Sequence, residues 1–353
     1  MGISIPCSAI LDTTMDVHTN IPLKNYTTMK LGGNARFMTD VHSIEDIQMV
    51  AQQATAEKLP IFVLGGGSNT IVRDEGFNGL VLRNRIMGYE VIEDTAGYTI
   101  IRVGAGEEWD SVVKRTVEAN LSGIEALSAI PGTAGAAPVQ NIGAYGQEVA
   151  DVLTAIEVYD LAAGQVATLA PEDCQFSYRS SIFRESAAGQ YVITHIVIRL
   201  AKASPAPPFY RALEDYFSAH AITFYTPQVV RDAVMSIRFE KLPDPTERPN
   251  SGSFFKNAVI EDWQYQELIR DHPDMPSYPM PDNHHKIPTG WLIEQVGCKG
   301  QLFHGMRVHD KNALVLINES ATSYADLAAA RDEIRGRVRD IFRISIEQEP
   351  LEI

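Results

Sequence analysis

The sequence predicts an α+β fold. Strand-like runs crowd the region from about 90 to 200, helical spacing of apolar residues lies mostly on either side of it, and proline-rich punctuation follows at 203–208. Apolar residues make up 45% of the chain against 21% charged, the balance of a folded globular protein. A length of 353 residues implies two or three domains, at roughly 150 residues each.

The elements follow in order. SIEDIQMVAQQA (43–54) opens with Ser43 three residues before Asp46, a capping-box-like start, and sets Ile47, Val50, Ala51 and Ala54 on one helical face. LPIFVLGGGSNTIV (59–72) then reads as strand, tight loop and second strand. YTIIRVGAG (98–106), AIEVYDL (155–161) and QYVITHIVIRL (190–200) are strands rich in β-branched and aromatic residues, interrupted by helical spacing in WDSVVKRTVEAN (109–120). ASPAPP (203–208) can continue neither element, so a boundary is expected there. TPQVVRDAVMSIRFEKLPDP (226–245) is a helix with Thr226 as N-cap, Pro227 in its first position, apolar residues at 229, 230, 233, 234 and 237, and an end at Pro243. SYADLAAARDEIRGRVRDIF (323–342) is the last, with Leu327, Ile334, Val338 and Ile341 in one packing stripe.

Bulk properties narrow the function. A formal charge of -15 argues against nucleic acid as a partner, although a small anion can still bind locally. No stretch reaches the length of a membrane span. Cys7, Cys174 and Cys298 are few and far apart, as expected of reduced thiols in a cytoplasm and not of a disulfide framework or a zinc site. MGISIPCSAILDTT lacks the basic and apolar runs of a signal peptide, and Pro6 spoils a myristoylation pattern.

Chemistry concentrates in three places. GGGSN (65–69) follows a strand, so its backbone amides can form an anion-binding concavity. It is not a Rossmann fingerprint, because Thr70 stands where the third glycine belongs and a strand follows, and the Walker lysine is missing. IPGTAGAAPVQNIGAYG (130–146) has almost no side-chain bulk, so a ligand or another backbone can approach closely. Together the two loops can grip opposite ends of one large phosphorylated cofactor. NSGSFFKN (250–257) contains Ser253 and Lys256 at S-x-x-K spacing, as in serine acyl enzymes, but the accompanying S-D-N and K-T-G are replaced by PDN (281–283) and PTG (288–290). His284 and His285 are adjacent and point apart on most backbones, and with no acidic or thiol partner expected nearby, a solvated pair is expected in preference to a metal site.

GGGSN, IPGTAGAAPVQNIGAYG, YRSSIFR (178–184), GSFFKN (252–257), GWLIEQ (290–295) and IEQEP (346–350) occur in the order seen in UDP-N-acetylenolpyruvoylglucosamine reductases. The resemblance spans nearly the whole chain, and YRSSIFR with the length resembles the family's longer branch, type I. It implies a fold like that of vanillyl-alcohol oxidase: two α+β FAD-binding subdomains (1–90 joined by 345–353, and 91–225) and a C-terminal α+β substrate-binding domain (226–344). It also implies noncovalent FAD, NADPH as co-substrate, and reduction of the enolpyruvyl ether of UDP-N-acetylglucosamine to UDP-N-acetylmuramate in peptidoglycan precursor synthesis.

Residue by residue, the resemblance implies cofactor contacts from Gly65, Gly66, Gly67, Ser68, Asn69, Pro131, Gly132, Gly135, Ala136, Gln140, Asn141, Gly143 and Arg238. Tyr210, Lys241, Asn257, Lys286 and Gln295 match substrate-binding positions. Arg179 matches the arginine that faces the substrate carboxylate, Ser253 the proton donor, and Glu349 the glutamate that hydrogen-bonds the enolate. A monomer in the cytoplasm is expected. Two alternatives remain at this level: a serine acyl transferase built on Ser253 and Lys256, or a nucleotide-binding relative without turnover. One departure is visible, since Pro350 follows Glu349 where the family continues with an apolar-Arg-x-Ile-Gly stretch, so a shorter supporting strand is expected.

Overall fold

The structure is a computed structural model that describes residues 16–353. Cys7 and the start of the chain, with the signal-peptide and myristoylation readings, lie outside the described residues. Two compact units form. The first joins Asn34–Gly65 and Phe77–Asp232 with the chain up to Ile21, and the second joins Pro22–Gly33, Gly66–Gly76 and Ala233–Ile353.

The first unit contains two sheets. One is four-stranded, in the order His18–Pro22, Asn34–Val41, Phe77–Asn84, Ile61–Leu64, with Phe77–Asn84 parallel to both Asn34–Val41 and Ile61–Leu64. Parallel neighbours need a crossover, and helix Ile44–Ala56 supplies it. Ser43 and Asp46 close a reciprocal capping box at its start, and Ile47, Val50, Ala51 and Ala54 pack on Phe37, Val41, Leu80 and Leu82. The other sheet is antiparallel and five-stranded: Gln165–Leu169, Leu153–Asp160, Tyr191–Ala201, Tyr98–Gly104, Tyr89–Asp94. Its central strand, Tyr191–Ala201, is apolar almost throughout because both faces are covered, and helix Trp109–Glu118 packs on one of them. Asn84 Nδ2 donates to Ile193 O at 2.7 Å, which ties the two sheets through a buried amide.

The prolines at 203–208 do not divide the chain. They link strand Tyr191–Ala201 to helix Arg211–Ala219 inside the first unit. The segment stays there because Phe209, Phe217 and Tyr225 pack their rings 4.8 to 5.1 Å apart. The grouping changes later, between Asp232 and Ala233, within helix Pro227–Lys241. Thr226 caps that helix as expected, its Oγ1 accepting from Val229 N at 3.2 Å.

In the second unit a four-stranded sheet runs Asn250–Ser253, Val315–Asn318, Met306–Val308, Leu302–Phe303, and a three-stranded one runs Ala258–Glu261, His284–Ile287, Tyr278–Met280. Leu351–Glu352 pairs in parallel with Thr70–Ile71. Helix Tyr324–Phe342 starts in a capping box from Ser323 to Asp326 and buries Leu327, Ala330, Ile334, Val338 and Phe342. Ile341, expected in that stripe, is 55% exposed, because four residues on from Val338 the buried face falls on Phe342.

A charged cluster lies on the five-stranded sheet. Glu157 stands directly opposite His195, and Arg102 donates to Glu157 Oε1 and Oε2 at 2.8 and 2.6 Å and to His195 Nδ1 at 3.0 Å. Burial first, then the Arg102 charge, pull the His195 pKa below its ordinary 6.5. The Arg102 hydrogen bond holds Glu157 below its ordinary 4.5. Both folded pKa values lie below the unfolded ones, so both contributions are present at neutral pH and are lost as pH falls. The thermal unfolding midpoint should therefore decline on acidification, first below pH 6.5 through His195 and then below 4.5 through Glu157. His195→Gln should flatten the first segment in a calorimetric pH series, and an unchanged slope there would contradict this assignment.

Candidate active site

The glycine- and alanine-rich tract belongs to the first unit. It lies against residues 104–107, with Gly135 N donating to Ala105 O at 2.9 Å and Ala134 N to Glu107 O at 2.8 Å. A Cβ on Gly135 would stand 2.5 Å from Ala105 Cβ, so the approach requires glycine. Tyr145 and Gly146, with φ of 48° and 87°, form the turn between the paired strands Gly143–Ala144 and Gln147–Glu148. Two successive positive φ values match the hairpin turn whose twist suits its strands. Asn141 is buried and fully engaged: its Nδ2 donates to Glu148 Oε2 at 2.7 Å and Ser177 O at 3.3 Å, while Oδ1 accepts from Ala150 N at 3.1 Å.

Arg179 comes to this tract. Its Nη2 donates to Gly143 O at 2.7 Å, Nη1 lies 3.5 Å from Asn141 O, and its guanidinium sits 5.3 Å from the Tyr178 ring centre. Arg179 occupies the third position of a four-residue turn closed by Ser177 and Ser180, at φ 55°. A non-glycine residue in the left-handed region costs about 1 kcal/mol or more, and such strain concentrates at functional sites. Tyr210, half exposed, stands edge-on to Tyr145 with ring centres 6.0 Å apart. Gln140 Oε1 lies 3.5 Å from Arg184 Nη1.

In the second unit, Ser253 ends strand Asn250–Ser253 beside a one-residue bulge. Gly252 takes φ 69°, and its N–H donates to Asn250 Oδ1 at 2.8 Å. Bulges of this kind re-aim the following side chain. Phe254 and Phe255 anchor the strand in the core, each burial contributing about 1.5–3 kcal/mol. Glu349 N donates to Phe254 O at 2.8 Å, Phe255 bridges Gln348, and Lys256 N donates to Glu347 O at 2.9 Å. Ser253 and the buried Glu349 thus stand on adjoining backbones. Lys256 Nζ lies 3.6 Å from Glu347 Oε2.

The binding positions scatter over the second unit. Asn257 Oδ1 accepts from Thr289 N at 3.1 Å, and Thr289 Oγ1 donates to Lys256 O at 2.7 Å. Lys286 stands between Val259 and Tyr278 across three strands, its Nζ 6.0 Å from the Tyr278 ring centre. Arg238 and Lys241 lie on the last turn of helix Pro227–Lys241, and Gln295 is exposed at the end of helix Thr289–Gln295. The residue motifs did not single out Tyr278 or Thr289; only the strand and helix pairings bring them beside Lys286 and Asn257. His285 also corrects its expectation. Its ring is held between Asp262 Oδ1 at 2.9 Å and Ser277 Oγ at 2.8 Å and stacks on Tyr265, because Ala258–Glu261 pairs with its own strand and leads straight into Asp262. The described residues contain no group of three or more His, Cys, Asp or Glu placed to hold a metal.

A flavin fits the tract. Residues 130–146 carry no Lys or Arg and almost no side-chain bulk. Such surfaces offer main chain to a ligand, as gripping a pyrophosphate through backbone amides requires.

This combination defines an FAD-binding enzyme with a separate C-terminal domain. Residues 36–170 match the family model described as FAD binding domain, and residues 244–353 match the UDP-N-acetylenolpyruvoylglucosamine reductase C-terminal domain. The chain belongs to the UDP-N-acetylenolpyruvoylglucosamine reductase family. It is 39% identical to the enzyme of that name from Ralstonia nicotianae over 94% of this chain and 98% of that one. It is 37% identical to that from Dechloromonas aromatica over 96% and 99%. The solved reductase from Thermus caldophilus superposes with a TM-score of 0.67 at 25% identity, covering 96% of this chain and 99% of its own. The 6-hydroxy-D-nicotine oxidase from Arthrobacter nicotinovorans shares the fold alone, at a TM-score of 0.52 and 14% identity over 97% and 88% of the two chains.

Gly67 offers a local test. It adopts φ 65°, and a Cβ would lie 1.9 Å from Tyr26 O. Gly67→Ala should lower stability by about 2 kcal/mol or more, from the left-handed backbone and the clash together. Urea unfolding measures it; a loss below about 0.5 kcal/mol would show that the loop relaxes freely.

Proposed function

We infer that the protein reduces UDP-N-acetyl-3-O-(1-carboxyvinyl)-glucosamine to UDP-N-acetylmuramate, using FAD and NADPH. The observation that supports the residue roles is the backbone pairing that seats Glu349 beside Phe254, one residue after Ser253. Bound FAD supplies the hydride it has received from NADPH. The remaining work falls to side chains.

Hydride addition to the terminal carbon of the enolpyruvyl group leaves negative charge on the adjacent carbon and its carboxylate. We assign Arg179 to that carboxylate, since a guanidinium fork matches two carboxylate oxygens. Glu349, in its acid form, donates a hydrogen bond to the enolate, the arrangement buried carboxylic acids adopt elsewhere. Ser253 Oγ–H gives its proton to the carbanionic carbon, completing the lactyl ether. No covalent bond to the serine forms, so the S-D-N and K-T-G partners of acyl enzymes have no role.

We assign Gly65, Gly66, Gly67, Ser68 and Asn69 with the 131–143 tract to FAD, together with Arg238, and Tyr210, Lys241, Asn257, Lys286 and Gln295 to the sugar nucleotide or NADPH. Asn141 serves there through its main chain, because its amide side chain is committed within the protein. We assign the FAD-binding subdomains to the two sheets of the first unit and the substrate domain to the sheets after residue 226. No helix of the described residues is long and apolar enough to cross a membrane. A monomeric, cytoplasmic enzyme completes the proposal.

Ser253→Ala should leave anaerobic bleaching of the flavin by NADPH intact while slowing reoxidation by the enolpyruvyl substrate by about 10²- to 10⁴-fold, the usual contribution of a general acid. Wild-type product made in heavy water should carry deuterium at lactyl C2. Equal losses in both half-reactions, or product without that deuterium, would remove Ser253 from its role.

A further inference from the structure

An ion pair with a buried arginine and a partly exposed aspartate lies beside the entrance to the glycine- and alanine-rich tract, and no catalytic step uses it. Asp110, in the first turn of helix Trp109–Glu118, accepts from Arg231 through both carboxylate oxygens, Oδ1 to Nη1 at 2.7 Å and Oδ2 to Nη2 at 2.8 Å. Arg231 is only 6% exposed, and its Nη1 also donates to Ser128 Oγ at 2.9 Å. Asp110 Oδ1 takes a further hydrogen bond from Ala129 N at 2.6 Å. Ala129 is an alanine held at φ 56°, in the left-handed region. The same helix start secures the chain on either side of it: Trp109 Nε1 donates to Leu127 O at 3.0 Å, and Trp109 N donates to Gly132 O at 3.0 Å.

These bonds fix residues 127, 128, 129 and 132, which lead directly into Pro131, Gly132 and the turn Ala134–Ala136. A buried ion pair is weak evidence for stability, because desolvation offsets most of the attraction. It does impose geometry, since a bidentate fork tolerates one arrangement. We propose that Asp110 and Arg231 are positioning residues for the flavin site, holding Ala129 in its strained conformation so that the following main chain meets the cofactor in register. This rests on the assignment of the tract to FAD made above.

The test is FAD titration of the full-length, deflavinated protein, with visible circular dichroism of the reconstituted flavin and the thermal midpoint of the same samples. Arg231→Met should raise the FAD dissociation constant about tenfold or more and change the flavin dichroism, on the scale at which loosened support disturbs a site. Arg231→Lys, which keeps charge but loses the fork, should recover part of the affinity. Wild-type affinity and dichroism in a folded Arg231→Met protein would overturn the proposal. So would a loss of affinity that only follows a lowered midpoint and is not recovered by lysine. If Arg231→Met does not fold, Arg231→Lys decides alone: weakened FAD binding at a wild-type midpoint supports the role, and unchanged binding refutes it. Ala136→Phe separates the two levels. If it raises the dissociation constant while Arg231→Met does not, only the positioning claim fails; if neither does, the assignment of the tract to FAD fails with it.

Discussion

The second unit depends on a strip of main chain at residues 347–353, hydrogen-bonded along both sides. On one side Lys256 N reaches Glu347 O and Glu349 N reaches Phe254 O; on the other, Leu351 N reaches Asn69 O, Ile353 N reaches Ile71 O and Arg73 N reaches Ile353 O. Ser253 and the GGGSN loop are therefore referenced to the same few residues. Side chains reinforce the strip. Arg73 and Arg331 both pair with Glu352, and Ile344 and Ile346 enter the core just upstream. Burial alone would raise the Glu352 pKa, yet the hydrogen bonds from Tyr324 and Arg73 and the Arg331 charge hold it below its ordinary value. Pro350 fits because its missing N–H is not needed, the ladder bonds falling on residues 349, 351 and 353. The short strand expected after Glu349 is a two-residue pairing, parallel to Thr70–Ile71, which directly follows GGGSN.

The first unit solves a different problem, namely how to keep a chain with little side-chain bulk in one conformation. A tract of glycine and alanine has few apolar contacts to order it and a large backbone entropy to lose. Ala134, Ala137 and Ile142 enter the core, and polar groups outside the tract supply further order. Asn141 reaches Glu148, Ser177 and Ala150, Arg179 reaches Gly143, Ser181 Oγ donates to Val139 O at 2.6 Å, and Asp110 holds Ala129 at the entrance. Residues 177–181 thus brace the tract. On the roles assigned above, Arg179 is placed for catalysis by the same carbonyls that shape the cofactor loop.

Features set by neighbours in sequence were legible without coordinates. The capping box at Ser43, the Thr226 cap with Pro227 behind it, and the long strands on the central sheet follow from spacing and residue type alone. What escaped depends on distant segments. Residues 22–33 and 66–76 group with the C-terminal half because Gly33 and Arg73 exchange a backbone bond and Met29, Leu31 and Ile71 enter its core, which no local pattern announces. The Ile341 stripe failed by one position, the drift a long helix accumulates against an approximate repeat. His285 was misread because Asp262 and Ser277 are brought to it by strand pairing. The site itself was legible only through family resemblance. Periodicity says nothing of a serine at a bulge or of a glutamate near the last strand.

Charge links these parts. An acidic chain must bind a substrate and a cofactor that both carry phosphates, so the repulsion expected from a net charge of -15 has to be overcome locally. In the first unit Arg102, partly exposed, is paired with Glu157, and the buried Arg231 with Asp110. The second unit treats Lys256 differently: its amine is largely buried, but its partner Glu347 is 72% exposed and 3.6 Å away. A pair with one solvated member is worth about 1 kcal/mol or less, so an incoming anion can take that carboxylate's place at little cost. The contrast separates cations that build the fold from Lys256, whose carboxylate partner is solvated, and on the proposed roles Lys256 stands in the substrate-binding half.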